Sequence, residues 1–384
     1  MLTITDVFRT ERCYDVEKEL AARYDREKIA YFDIETTGFS SKNHQIYLIG
    51  AAYRNEDNTF TVIQWFDDTS GDEAKMLLMF RDFLKNFDIL INFNGNMFDV
   101  PFVASRAEKY GIHFNFERLL LVDLYKEARR YKNFFRTPDL KQKSLEVFLG
   151  IAREDKYNGG QLIDIYKEYI RLQKENHSHR QGNEDTTEDL KRLLLLHNHD
   201  DMTGLVNVCD IWAYLSVWEG KFEVTDIRLT EDSGKALQLL LQCHLDGRLK
   251  RPIFDKSEDF CYDARDNTLK FLVPVIHDEL KHYFENYRDY YYLPNEDTAI
   301  HKSVAQFVDK NYREKSTKDN CYIKKQGTFA FQPAEIFTPS FKSNVSDKKL
   351  FFEVDREKTA LSGDSAGQLK TYVLKALEYM YRKH

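Results

Sequence analysis

The stretch "YFDIETTGFS", Tyr31 to Ser40, carries two carboxylates, Asp33 and Glu35, at the end of an apolar run. Successive side chains of a strand alternate faces, so Asp33 and Glu35 project together while Phe32 and Ile34 project the other way. Acid carried into a core costs free energy unless something cationic meets it. Taken alone, the pair also reads as a solvated strand end. A further acid, Asp99, follows in "INFNGNMFDVPF", just ahead of a helix with Pro101 in its first turn. There it either favours the positive end of the helix or faces the mouth of the sheet beside Asp33 and Glu35.

A third stretch, "DLKRLLLLHNHDDMTGLVNV", adds a histidine. At about 100° per residue, Leu190, Leu194, His197, Asp201, Leu205 and Val208 fall within a stripe of about 80°. His197 and Asp201 stand one turn apart inside that apolar face, with His199 opposite and Asp200 on the flank. The bland reading is a core histidine satisfied by Asp201. Together the three stretches supply Asp33, Glu35, Asp99 and Asp201, with His197 beside them. Four carboxylates in a low-dielectric cleft repel one another, and some protonate unless a cation joins them. Oxygen donors without cysteine or a histidine pair point to Mg²⁺ or Mn²⁺ rather than zinc. Two such ions about 4 Å apart suit the in-line displacement of a phosphodiester.

The elements that must position these groups follow from periodicity. Residues 1–28 read as a helical lead-in. "KIAYFDI" reads as a strand, and "HQIYLIGAAYR" with "NTFTVIQWF" as a hairpin turned at "NEDN". "GDEAKMLLMFRDFLKNF" has helical spacing, "DILINF" is a short buried strand, and "DVPFVASRAEKYG" is a second helix. The order predicts an α/β domain over 29–215, a mixed sheet flanked by helices. Within it "TPDLKQKSLEVFLG" and "GGQLIDIYKEYIRLQKE" are helices, "NHSHRQGNEDTTED" is a polar loop, and a long helix spans about Leu190 to Leu215. From 216 to 384 a smaller α+β lobe is expected. In it "DSGKALQLLLQCHLDG", "TAIHKSVAQFVDKNYREK" and "AGQLKTYVLKALEYMYRKH" read as helices. "FCYDARDNTLKFLVPVI" reads as two strands around an "RDN" turn.

The bulk numbers bound the partners only loosely. A chain of 384 residues has room for two such bodies. The net charge is −7, and from Ser216 onward 27 basic residues balance 27 acidic ones, so the excess acid lies before Ser216. Net charge thus neither supports nor excludes nucleic acid, since contacts to phosphate are local. Cys13, Cys209, Cys243, Cys261 and Cys321 form no C-x-x-C pair, which fits a reducing compartment. No signal-type apolar segment or membrane-spanning run is present. A cytoplasmic protein with no membrane partner is expected.

"FDIETTG", "NFNGNMFDVPF" and "HNHDDMTGL", in that order, resemble the three motifs of the DEDD superfamily of 3′–5′ exonucleases on a ribonuclease H-like fold. The likeness is closest to the bacterial ribonuclease H-like exonuclease group related to proofreading domains of family-B DNA polymerases. It runs from about Ile29 to Leu215, and "SLEVFLGIARED" and "YNGGQLIDIYKEY" are similar to that group as well. The resemblance implies that Asp33, Glu35, Asp99 and Asp201 are ligands of two divalent ions, Mg²⁺ or Mn²⁺, with Asp33 bridging them. It implies that Thr36, Thr37, Asn94 and Gly95 shape the bed of a 3′-terminal nucleotide in single-stranded DNA or RNA. The third motif departs from the pattern. One branch of the superfamily has tyrosine four residues before its last aspartate, and the other has histidine five before. Here His197 sits four before Asp201, and Leu196 occupies the five-before place.

The resemblance stops at the second lobe, which carries no polymerase, helicase or Walker A motif. Its stretch from Ala299 to Phe331 holds seven basic and three acidic residues, interleaved with Phe307, Tyr312, Tyr322, Phe329 and Phe331. Such a mixture suits a single strand, but the favoured reading is an ordinary solvated helix and a small β-lobe with its own core. Three other functions stay open. They are a nucleic-acid-binding module without turnover, a structure-specific endonuclease with the same site, and a scaffold for an unnamed protein partner.

Overall fold

The β-branched and aromatic runs of the N-terminal half build one sheet. The computed structural model describes residues 1–178, 184–231, 236–355 and 364–382. It divides into two units, Met1–Leu215 and Ser216–His384. In the first, strands β1 (Leu2–Phe8), β2 (Ile29–Thr36), β3 (Ile46–Arg54), β4 (Phe60–Phe66), β5 (Ile89–Asn92) and β6 (Leu120–Asp123) lie in the order β1-β4-β3-β2-β5-β6. β1, β4, β3 and β2 pair antiparallel, whereas β2, β5 and β6 pair parallel.

Helices interleave with these strands: α1 (Val16–Tyr24), α2 (Glu73–Leu84), α3 (Asp99–Lys109), α4 (Leu124–Arg129), α5 (Lys132–Phe135), α6 (Gln142–Leu149), α7 (Gly159–Ser178), α8 (Glu184–Val208) and α9 (Ile211–Trp218). The central strands are buried on both faces, which is why they read as near-continuous apolar runs. On one face Phe32, Ile34, Ile49 and Trp65 pack with Met76, Leu77, Phe80 and Leu84 of α2 and Phe102 and Val103 of α3. On the other, Tyr47, Leu48 and Phe66 pack with Leu162, Tyr166 and Tyr169 of α7 and Leu194 of α8. The alternation of β2 therefore commits Phe32 and Ile34 to the α2–α3 face. Asp33 and Glu35 are left to the face that α8 covers.

Three expectations for this unit need correction. The lead-in is not wholly helical: "LTITDVF" is an edge strand paired along all of β4, and only Val16–Tyr24 is helix. The polar stretch 176–189 is mostly helix, ending α7 and opening α8, with 179–183 outside the described residues. The long helix begins earlier, at Glu184, and stops at Val208, before the separate helix α9.

The second unit is built on a six-stranded antiparallel sheet. Its strands are β7 (Phe222–Glu231), β8 (Leu237–Lys256), β9 (Cys261–Tyr283), β10 (Tyr290–Leu293), β11 (Thr298–His301), β12 (Glu314–Lys315), β13 (Tyr322–Gln332), β14 (Ser340–Phe341) and β15 (Leu350–Glu353). The main sheet runs β14-β15-β13-β9-β8-β7, and β11-β10-β12 form a small one. Helix α10 (Lys302–Ala305) is a single turn, and α11 (Asp364–Arg382) buries Leu369, Tyr372, Val373, Ala376, Leu377 and Met380 along one stripe. The Tyr372 hydroxyl donates to the carbonyl of Phe331 at 2.7 Å, tying α11 to β13.

Here the expected helix in "DSGKALQLLLQCHLDG" is the strand β8, with 232–235 outside the described residues. The "RDN" turn is a bulge inside one long strand, with Asp266 in the left-handed region at φ 51°. "TAIHKSVAQFVDKNYREK" is a strand, one helical turn and a short strand rather than a helix. Phe329, Phe331 and Tyr322 are buried, while Phe307 and Tyr312 are 84% and 58% exposed. Lys324 pairs with Asp297 at 2.8 Å and Lys325 with Glu353 at 2.6 Å.

Candidate active site

The site forms where the end of β2, the first turn of α3 and the middle of α8 meet. Strand register shifts between Glu35 and Thr36, so the chain turns away from β3 just after the second carboxylate. Asp33 accepts a hydrogen bond from the Asn198 side-chain amide at 3.3 Å. That approach requires a glycine on β3: a Cβ on Gly50, the residue opposite Asp33, would lie 2.4 Å from Asn198 Oδ1. Asp99 sits in the first turn of α3 and accepts the Ile34 backbone N–H at 3.2 Å, which pins α3 to β2.

His197 and Asp201 are one helical turn apart on α8. His197 Nε2 lies 3.0 Å from Asp201 Oδ2 and 3.5 Å from Glu35 Oε1. Ligand atoms of Glu35, His197 and Asp201 lie within 4.8 Å of one another. The flanking residues of α8 turn elsewhere, with His199 Nε2 3.0 Å from Asp6 on β1 and Asp200 bonded to the loop before α7.

Sequence reasoning missed the shell that holds His197 and Asp201. His197 Nδ1 lies 2.7 Å from Asp155 Oδ2. Arg153 donates to Asp201 Oδ1 at 2.6 Å and to both oxygens of Glu146 at 3.1 Å. Glu146 fits against α8 because residue 204 is glycine; a Cβ there would lie 2.1 Å from Glu146 Oε1. Gln142 donates to the Asp201 carbonyl at 2.9 Å. These residues come from α6 and the loop after it. Gln142 apart, their trace in the sequence is the stretch "SLEVFLGIARED", in which no period tells which acid faces α8.

The electrostatics follow from crowding. Burial pushes the Asp33 carboxyl well above the usual range, and the charges of Asp99, Asp201 and Glu35 push it further. Burial raises Glu35 to about 8, with His197 opposing and Asp201 and Asp99 adding to the rise. Burial raises Asp99 to about 7 against the opposing hydrogen bond from Ile34. Burial also disfavours charge on Asp201, yet His197 and Arg153 outweigh it and hold that carboxyl low. For His197 burial works against the proton, but Asp201, Glu35 and Asp155 win and raise it to about 9.

The remaining predicted residues lie at the strand end and the β5–α3 corner. Thr36 Oγ1 donates to the Gly38 carbonyl at 2.9 Å, and Thr37 Oγ1 accepts from the Gln45 N–H at 3.0 Å. Thr37 lines an open cleft of about 380 Å³ with His44, Lys109 and Lys167. Asn94 takes a left-handed conformation, φ 63°, and its N–H donates to Asp123 at 2.8 Å, while the Gly95 N–H donates to Asn92 at 2.8 Å.

Residues 30–213 match the family model described as RNase_H superfamily. Among solved structures, the family B DNA polymerase of the hyperthermophilic archaeon Pyrobaculum calidifontis is similar at 16% identity. That match covers 49% of this chain and 25% of the polymerase, with a TM-score of 0.36. E. coli Exonuclease I in complex with a dT13 oligonucleotide is similar at 12% identity, over 40% of this chain and 44% of that one, with a TM-score of 0.29. This chain spans less than half the length of either. The mixed six-stranded sheet with its flanking helices is a ribonuclease H-like fold. Among the described residues no helix is long and apolar enough to cross a membrane.

Proposed function

We propose that residues 29–215 are a metal-dependent 3′–5′ exonuclease domain of the DEDD type. It would remove nucleoside 5′-monophosphates from single-stranded DNA or RNA. The observation that carries this reading is the meeting of Glu35, His197 and Asp201 within 4.8 Å, electrostatically coupled to Asp33 and Asp99. The donor set fits hard divalent cations. Asp99 and Glu35 raise the pKa of Asp33, Asp99 raises that of Glu35, and Asp33 and Asp99 accept hydrogen bonds from neutral donors, Asn198 and the Ile34 N–H. Asp33, Glu35, Asp99 and Asp201 would hold two Mg²⁺ or Mn²⁺ ions. When bound, these supply Lewis-acid stabilisation of the charge developing on a phosphodiester.

The rest falls to the chain's own groups. His197 presents Nε2 to the acidic centre and takes a proton there from the attacking water. Its place four residues before Asp201 suits this, because on a helix that spacing puts both side chains over one spot. Thr36, Thr37, Asn94 and Gly95 bed the terminal nucleotide at the strand end and the β5–α3 corner.

The test is digestion of 5′-labelled single-stranded DNA and RNA with Mg²⁺ or Mn²⁺, beside the Asp33→Ala protein. A descending ladder of shortened products, lost in the variant, is expected. Cleavage of a circular strand would replace the exonuclease by an endonuclease, and no cleavage by folded, metal-loaded protein would discard both.

A further inference from the structure

We propose that Asp155 is a positioning residue for this reaction, fixing the ring of His197 so that Nε2 faces the acidic centre. The inference rests on the nuclease reading above and adds a residue to it. A neutral imidazole carries one N–H, and the partner of one nitrogen decides the role of the other. An ionised carboxylate only accepts hydrogen bonds. With Asp155 Oδ2 at 2.7 Å, Nδ1 keeps its N–H, and Nε2, turned to Asp201 and Glu35, is the nitrogen left to exchange a proton with the acidic centre.

Asp155 is itself held from several sides. Its side chain is 1% exposed; Oδ1 accepts the Tyr157 N–H at 3.0 Å, and Oδ2 accepts from Lys143 Nζ at 3.0 Å. The N–H groups of Glu154 and Asp155 both donate to Asp200 Oδ2 at 2.8 Å. Arg153, two residues before, grips Asp201. Residues 153–155 thus fasten onto α8 at 197, 200 and 201, which gives the flanking Asp200 a purpose that helical periodicity alone does not. A histidine held at one nitrogen swings about its side-chain torsions. Held at both, it keeps one orientation, the triad logic of a base aimed by a buried carboxylate.

The competing role is structural: Asp155 merely anchors the loop between α6 and α7. Four proteins separate the two in the full chain: Asp155→Asn, His197→Ala, the double variant, and Lys143→Met. The last removes one further side-chain partner of Asp155 and leaves Arg153, 3.7 Å from Oδ2, in place. We expect Asp155→Asn to lower kcat about 10–100-fold with KM unchanged, and to cost nothing further on top of His197→Ala. Lys143→Met, which leaves the Tyr157 N–H and Arg153 on Asp155, should lose clearly less than Asp155→Asn. A wild-type rate in Asp155→Asn, losses that multiply in the double variant, or an equal loss in Lys143→Met would each overturn the proposal.

Should Asp155→Asn not fold, Asp155→Glu takes its place. It keeps a carboxylate for Lys143 but displaces the oxygen from Nδ1; a loss of about 10-fold supports the role, and full activity removes it. An NMR readout needs no substrate. The hydrogen-bonded Nδ1–H of His197 should give a far-downfield proton resonance in chelator, absent from Asp155→Asn. If the wild type cuts nothing, the nuclease reading fails, and this resonance alone decides the contact: its loss upholds the orientation, its persistence refutes it.

Discussion

Two acidic clusters sit in the same unit and behave in opposite ways. Asp67, Asp68 and Asp72 place ligand atoms as close together as Glu35, His197 and Asp201 do. In the first cluster every acid is answered. Asp67 accepts the N–H groups of Thr69, Gly71 and Asp72, and the amino group of Met1 lies 2.5 Å from Asp68 and 2.6 Å from Asp72. The hydrogen bond to that amino group pulls Asp72 below the usual carboxylate range. Around the second cluster burial and the charge of neighbouring carboxylates push Asp33, Glu35 and Asp99 above it, and only Asp201, met by His197 and Arg153, is held low. Proximity of acids is therefore no sign of a site. What distinguishes one is charge that the protein itself leaves unbalanced.

The sharpest way to break this comparison is to neutralise one acid of the unbalanced set. Asp33→Asn keeps the shape and removes a charge that its neighbours repel. Cleavage should fall about 10³-fold or more, on the scale of losing a central electrostatic contact. The melting temperature in chelator should rise, by about 2–4 °C for each kcal/mol of repulsion relieved. Loss of activity together with loss of stability would mean that Asp33 is a structural acid. His197→Ala comes next, with about 10²–10⁴-fold lower kcat, the range for a general base. Near-normal turnover of that variant removes His197 from the chemistry.

The clusters also predict opposite pH dependence. Asp99 at about 7, Glu35 at about 8 and His197 at about 9 all bind protons more tightly folded than unfolded. Wherever the folded state holds more protons, stability falls as pH rises. In chelator the contribution of these groups is fully present at about pH 4 and fades toward pH 9, Asp99 first and His197 last. Asp72 has the reverse sign: its contribution is present above about pH 4 and is lost in acid. Thermal melts across this range, with and without Mn²⁺, measure both. Added Mn²⁺ should raise the melting temperature more at pH 8 than at pH 5; an equal rise at both would detach the acidic centre from metal binding.

How much of this was readable in advance divides by the range of the interactions. The strand alternation that separates Phe32 and Ile34 from Asp33 and Glu35 is local, as is the helical turn that joins His197 to Asp201, and both were legible. So was the order of elements from β2 to α3. Asp155 and Arg153 were not, because their partners lie 42 and 48 residues away and depend on how the loop after α6 folds back. The misread elements share a cause. Leu239, Leu240 and Leu241 fit a helix as well as a strand, and only pairing with β7 and β9 decides between them. "LTITDVF" likewise gains its state from β4 rather than from itself.

The balanced cluster offers the control that sharpens the comparison most finely. Asp67 is fully buried, and its two oxygens are divided between donors: Oδ1 takes the N–H groups of Thr69 and Gly71, and Oδ2 takes that of Asp72 at 3.0 Å. Asp67→Asn replaces one of these acceptors by an NH₂ group, whichever way the amide turns. At least one backbone N–H then faces a donor and loses its bond, at a cost of about 1–3 kcal/mol. Because that turn precedes α2 and supplies nothing to the Asp33–Asp201 centre, kcat should stay at the wild-type value. A chemical-denaturation midpoint shifted to lower concentration with kcat intact keeps the two clusters distinct. A matching fall in kcat would show that this turn and the acidic centre are coupled, and that the contrast between answered and unanswered acids does not separate structure from chemistry here.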